Sequence, residues 1–105
     1  MDLTVYIHVA IDRADADFAW DETKRCLNLA KHGLDLVQGI HLFDGRPAIS
    51  YPTRRNGEDR WVTIGRINGL MLALVWTERG TVVRLISLRR ARDAERRAFD
   101  ARVCH

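Results

Sequence analysis

RWVTIGRINGLMLALVWT, residues 60–77, divides at Asn68-Gly69 into two apolar-rich runs. Asn-Gly accepts positive φ at both central positions of a two-residue type I′ turn, so the stretch predicts a β-hairpin. With that turn Ile67 faces Leu70 and Val62 faces Val75, and the period of two assigns every side chain to a face. One face collects Trp61, Ile67, Leu70, Leu72, Leu74 and Trp76. The other collects Arg60, Ile64, Arg66, Ala73, Val75 and Thr77. A third strand, TVVRLISLR (81–89), follows Arg79-Gly80. Reading that dipeptide as a second two-residue turn sets Val75 opposite Arg84. Val83 and Leu85 then join the apolar face, and Arg84 and Ile86 join the basic one. A one-residue slip would put Arg84 beside Trp76, where an unpaired charge is costly.

Upstream, Leu3, Val5, Ile7, Val9 and Ile11 alternate with Thr4, Tyr6, His8 and Ala10, which predicts a strand. DRADAD (12–17) predicts a polar connection and FAW (18–20) a short strand. Asp21 is placed to cap a helix through ETKRCLNLAK (22–31). Leu27, Ala30 and Leu34 share one of its faces, and Gly33 closes it in the left-handed conformation. Asp35 caps a second, short helix, LVQGIHLF (36–43). PAISYP (47–52) reads as a brief edge strand bounded by prolines, and TRRNGED (53–59) as a polar loop. RARDAERRAFDAR (90–102) predicts a terminal helix. This order predicts an α+β fold: an antiparallel sheet, two N-terminal helices on its apolar face and a C-terminal helix.

With 105 residues, 47% of them hydrophobic and 30% charged, the chain has the size and composition of a single globular domain, residues 1–105. No apolar run reaches the roughly 18 residues of a membrane helix, and MDLTVYIHVAID lacks the basic start of a secretory signal. Cys26 and Cys104 match no metal-ligand spacing, nor do the histidines; reduced thiols and a cytoplasmic location are expected. Charge is unevenly spread. Residues 1–59 carry 7 Lys/Arg against 10 Asp/Glu, whereas residues 60–105 carry 10 arginines against 4 acids. Arginine's planar fork suits phosphate, so the basic half raises the expectation of a nucleic-acid partner. The same arginines would also serve as solubilising charges on a half-exposed sheet.

From Phe18 onward the sequence resembles the BrnT family of toxins of bacterial type II toxin–antitoxin systems. The resemblance rests on FAWDETK (18–24), on Asn28, Leu29, Lys31, His32 and Gly33, and on Glu58, Arg60, Ile64 and Gly65. It continues through Arg79, Gly80, Arg84, Leu85, Ile86, Ser87, Leu88, Arg89, Arg90 and Ala91 to Glu95. Leu88 stands where the family has a small alanine, and Leu36 where an aromatic is common. Residues 1–17 are an extension that the resemblance does not reach, so the toxin-like part is 18–105.

The resemblance implies a RelE-like fold and cleavage of RNA without a metal or other cofactor. It implies a BrnA-like ribbon-helix-helix antitoxin as partner, in a heterotetramer that binds its own promoter DNA. Cleavage of this kind uses the RNA's own 2′-hydroxyl as nucleophile and needs a base, an acid and a cluster of cations. Arg66, Arg79 and Arg84 are the candidates for stabilising the phosphorane-like transition state. His32 is the candidate for proton transfer near neutral pH, although with Lys31 it would equally complement a helix C-terminus. Glu58 could accept the 2′-hydroxyl proton or orient Arg60 through an ion pair. Lys31, Arg60, Arg89 and Arg90 are the expected RNA contacts, with Arg89 alternatively bridging to Glu95. Two rivals remain at this level: a non-catalytic binding subunit, and an inactive toxin that acts only in promoter repression.

Overall fold

Asn68 and Gly69 both take positive φ, 51° and 79°, and Ile67 faces Leu70 across the turn, the geometry of type I′. The same device occurs one hairpin earlier. Asn56 and Gly57 (φ 52° and 76°) bring Arg55 opposite Glu58. TRRNGED is thus the end of one strand, a tight turn and the start of the next, not a polar loop. The third turn lies one residue later than expected. Arg79 faces Val82, leaving Gly80 (φ 62°) and Thr81 as the turn, with glycine in the first place as type II′ requires.

The computed structural model describes residues 7–13 and 16–103; Leu3 to Tyr6 of the expected first strand, and Cys104 and His105, lie outside them. The strands are β1 (Ile7–Asp12), β2 (Asp17–Ala19), β3 (Asp44–Arg55), β4 (Glu58–Ile67), β5 (Leu70–Arg79) and β6 (Val82–Arg90). They form one sheet in the order β1-β3-β4-β5-β6-β2. All its pairs are antiparallel except β2 with β6. PAISYP is not an edge strand. It is the middle of β3, paired with β4 and, from Asp44 to Ser50, also with β1.

The helices divide differently from the expectation. One sheet face is closed by the 3₁₀ helix Leu36–Phe43, whose Leu36, Leu42 and Phe43 pack with Leu34, Ile67, Leu72, Leu74, Trp76, Val83, Leu85 and Leu88. The approach is close. A Cβ on Gly39 would lie 2.6 Å from Leu74 Cδ1, and one on Gly65 would lie 2.6 Å from Leu42 Cδ2.

Helix α1 (Glu22–His32) does not share that task. Asp21 caps it and Gly33 ends it with φ 69°, but its one buried residue is Asn28, while Leu27 and Leu29 are 62% and 55% exposed. Asn28 presents an amide to the edge of β6. Its Nδ2 donates to Leu88 O (2.9 Å) and Leu34 O (2.8 Å), and its Oδ1 accepts from Leu88 N (2.9 Å). The side chain thereby continues the pairing that β2 begins at Val82–Arg84, and it fixes α1 beside the sheet rather than upon it. Helix α2 (Asp93–Val103) packs on the opposite face. Ala98 and Phe99 meet Ile49, Tyr51, Val62, Ile64 and Ala73 there.

The register places Arg84 opposite Thr77, not Val75, because the turn is shifted. A bulge between Val75 and Trp76 then brings Ser87 opposite Val75 and Arg89 opposite Ala73. Arg84 stays off the Trp76 face all the same, since Trp76 pairs with Leu85.

Candidate nucleic-acid interface

Helix α2 covers only part of its sheet face. Beside it lies an open depression of about 610 Å³. Its floor is apolar and partly aromatic: Tyr51, Val62, Val75 and Ile86 from four neighbouring strands. One wall is α1, which offers Lys24, Leu27, Lys31 and His32 on the side that the Asn28 anchor turns inward. The opposite wall is β3 and the turn after it, with Thr53, Arg54 and Arg55, joined by Arg60 of β4. Arg89 and Arg92 close the end toward α2. Seven lysines and arginines line the depression with one histidine, and no carboxylate does. A concave surface of one sign focuses its field and attracts polyanions.

Beneath this surface one acid is buried. Glu95 has no exposed area. Its Oε1 accepts from Arg89 Nη1 (2.7 Å) and Arg92 N (2.8 Å), and its Oε2 from Arg89 Nη2 (2.9 Å) and the Tyr51 hydroxyl (2.6 Å). Four donors saturate the carboxylate, which makes its burial tolerable. Glu95 is the third residue of α2, so the bond to Arg92 N also caps the helix start from within. Burial pushes the Glu95 carboxyl up, but the bonds from Arg89, Arg92 and Tyr51 outweigh it and hold it below the usual glutamate range. The same bond, donated to Glu95, raises the Arg89 pKa.

His32 sits at the end of α1, where partial burial and then the charges of Lys31 and Arg89 lower its pKa. It is therefore neutral at pH 7 and able to accept a proton. Among the described residues, no hydrogen bond or ion pair holds the side chains of Lys24, Lys31, Arg55 or Arg92, so their charges are available to a ligand.

The expected site residues separate into three groups. Lys31, His32, Arg60 and Arg89 come together in the depression, although Arg60 Nε is bound to Glu58 Oε1 (2.8 Å) and Arg89 to Glu95. Glu58 and Arg79 lie just outside it and hold each other at 3.0 Å. Hydrogen bonds from Arg60 and then Arg79 lower the Glu58 carboxyl, so it is a poor proton acceptor. Arg66 and Arg90 are elsewhere, beyond α2, around a smaller hollow. Arg84 lies toward β2, facing Thr77. Thus Arg66, Arg79 and Arg84 do not converge. Arg66 lies six residues along β4 from Arg60, roughly 20 Å at ~3.3 Å each.

Lys24, Tyr51, Arg54, Arg55 and Arg92 were not anticipated. Tyr51, Thr53 and Arg55 do alternate at period two, a strand signal that Pro52 and the polar flanks of Asn56-Gly57 obscured. Among the described residues no three His, Cys, Asp or Glu side chains gather as a metal site, and no helix is long and apolar enough to cross a membrane.

A family model described as "Ribonuclease toxin, BrnT, of type II toxin-antitoxin system" matches residues 20–95. Every residue named in the depression falls inside that span, whereas β1 and β2 fall before it. No curated protein matches the chain.

Proposed function

The chain belongs to the BrnT family of ribonuclease toxins of type II toxin–antitoxin systems, and from that premise we propose that the depression between α1, β3 and α2 is where it cleaves RNA. One observation carries the reading: a concave site lined by seven cations and no carboxylate, over an apolar floor, with His32, an imidazole whose pKa is lowered by partial burial and by Lys31 and Arg89, on its wall. In the proposed reaction neutral His32 takes the proton of a ribose 2′-hydroxyl. The oxygen attacks the adjacent phosphorus, the bond to the 5′ oxygen breaks, and a 2′,3′-cyclic phosphate remains. The leaving 5′ oxygen takes its proton from a donor of the same site, for which the Lys31 ammonium stands on the same wall.

Arg60, Arg89, Arg55 and Arg92 share the charge that builds on the phosphoryl oxygens. Glu58 acts by orienting Arg60, and Arg79 by holding Glu58. This scheme uses no metal. The cleaved RNA is translated or ribosome-bound, which stalls growth, and the overall design is RelE-like. The antitoxin of this toxin is a BrnA-like ribbon-helix-helix protein, and the two form a promoter-binding heterotetramer.

The test is incubation of the purified chain with single-stranded and ribosome-presented RNA in EDTA. Fragments ending in cyclic phosphate are expected, and their loss with Lys31→Ala/Arg92→Ala is expected as well. A folded protein that leaves both RNAs intact overturns the proposal. That outcome is what the second reading, an RNA-binding subunit without catalysis, requires; it draws on the engagement of Glu58 by two arginines outside the depression.

A further inference from the structure

An acid with no exposed area beneath a basic surface calls for a reason. A buried ion pair contributes little net stability over an apolar pair of the same size, so stability alone does not explain Glu95. Its bonds point to another role. Glu95 is tied through Tyr51 to the floor of the depression and through Arg92 N to the start of α2. Two further bonds tie it to Arg89, at the end of the depression.

The manner in which Arg89 is held decides what it can still do. A guanidinium carries five N–H donors in one rigid plane. Glu95 takes one from Nη1 (2.7 Å) and one from Nη2 (2.9 Å), the pair at the tip. Nη1 also donates to Arg90 O (3.3 Å). Outside these bonds are Nε–H and the second Nη2–H, which lie side by side along one edge of the plane. With that same edge Arg25 grips Asp35 and Arg46 grips Asp44, through Nε and Nη2 at 2.7 to 2.9 Å. Those two forks are closed on carboxylates of the chain itself. The corresponding fork of Arg89 is not, and Arg89 lines the depression with 16% of its side chain exposed. No carboxylate lines that surface. A phosphate offers two oxygens that match such a fork.

We infer that Glu95 is a positioning residue of the proposed reaction: it locks Arg89 by the tip, so that the side fork stands ready for two non-bridging oxygens of the scissile phosphate. The inference rests on the reading of the depression as the site of RNA cleavage. Arg89 is then the catalytic residue, bonded to both oxygens as the phosphorane forms, and Glu95 acts through it. Fixing the fork beforehand removes motion that a free arginine would have to lose in the transition state, where a displacement of about 1 Å costs about 10²-fold in rate. Lysine cannot take over, because one ammonium has no second fork.

The experiment compares cleavage, by the full chain in EDTA, of one RNA carrying either a phosphate or a phosphorothioate at the scissile position, the latter in each of its two configurations. Sulfur accepts hydrogen bonds poorly, so the wild type should prefer the phosphate by about tenfold or more, the contribution of one charge-assisted bond. Glu95→Gln should lower kcat for the phosphate about 10²-fold and bring the rates on the substrates within about twofold of one another. Arg89→Lys keeps a cation beside Glu95 and so preserves the buried pair; it should lose the preference likewise.

A protein that is merely less folded loses rate on all the substrates alike and keeps the ratio. Lower rates at the wild-type ratio in Glu95→Gln would therefore overturn the positioning role, and a wild-type ratio in Arg89→Lys would overturn the fork. Should Glu95→Gln fail to fold, the ratio in Arg89→Lys decides. Wild-type cleavage without preference sinks this inference and leaves the proposed function standing. If the wild type cleaves no RNA, the proposed function fails and the inference fails with it.

Discussion

The two faces of the sheet are made by alternate residues of the same strands, yet one is sealed and the other stays open. On the sealed face, Trp76 pairs with Leu85 and Leu74 with Leu88, and the 3₁₀ helix fills the layer above them down to contacts at Gly39 and Gly65. Its few polar groups satisfy one another: Trp76 Nε1 donates to Thr63 Oγ1 (2.8 Å), which lies 2.8 Å from Ser50 Oγ. On the open face the neighbouring residues are Arg60, Arg66, Arg84 and Arg89. A layer packed over them would have to strip water from each charge, a cost that a buried carboxylate offsets at Arg89. Helix α2 therefore settles, through Ala98 and Phe99, on the apolar strip around Ile49, Ile64 and Ala73 and leaves cationic hollows to either side. Charge decides where a core can close, and what cannot close is left for a ligand.

The sharpest way to break this contrast is His32→Ala, which leaves the sealed face untouched. Loss of a positioned proton acceptor should cut RNA cleavage by about 10²- to 10⁴-fold, measured as kcat/KM, with an unchanged unfolding midpoint. Because burial and the charges of Lys31 and Arg89 lower the His32 pKa, the rate of the wild-type protein should rise with pH through a midpoint below the usual histidine value and be level at pH 7. A midpoint above that value contradicts His32 as the base.

Glu95→Gln attacks the one place where the open face has a buried core. Removing one partner of a buried ion pair costs about 3–5 kcal/mol, read by urea unfolding at pH 7. The Glu95 carboxyl is held below the ordinary glutamate range, so its stabilisation is complete at neutral pH. It is lost as the pH falls through that range toward the folded-state value, and the variant and wild type should converge in stability there. A constant gap down to pH 3 would assign the effect to packing.

The smallest effect is expected at Arg79, a 63% exposed side chain whose contact with Glu58 lies near the surface. Such pairs contribute about 0–1 kcal/mol. Arg79→Ala should change stability by less than that and lower cleavage only modestly, through Glu58 and Arg60. A loss comparable to that of His32→Ala would move the reaction centre toward the end of the hairpin.

Much of the frame was legible because its signals are local. Asn68-Gly69 set one turn, Asp21 and Gly33 bracket α1, and Asp35 caps the 3₁₀ helix by accepting from Val37 N. Asn56-Gly57 is the same dipeptide as Asn68-Gly69, but its flanks, Thr53-Arg54-Arg55 and Glu58-Asp59-Arg60, lack the apolar alternation that marked the other hairpin. Thr53, Arg54, Arg55 and Arg60 line an open hollow and have no core to face. Helix α1 departs from its apolar pattern for the converse reason. Leu27, Ala30 and Leu34 do align, but the tie to the sheet is the polar Asn28, so the apolar stripe predicted the wrong contact.

By itself the sequence determined the α+β order, the two-faced character of the sheet and the family, since period, turn chemistry and motif residues are properties of neighbours along the chain. Only the tertiary structure decided which cations meet. Lys24 and Lys31 join Arg55, Arg60, Arg89 and Arg92 across more than sixty residues of chain, while Arg66 and Arg84, equally basic and on the same face, are carried to other parts of it. The reason is geometric: period two fixes the side of a sheet on which a residue lies, whereas its place across the sheet depends on register, on a single bulge and on where two helices come to rest.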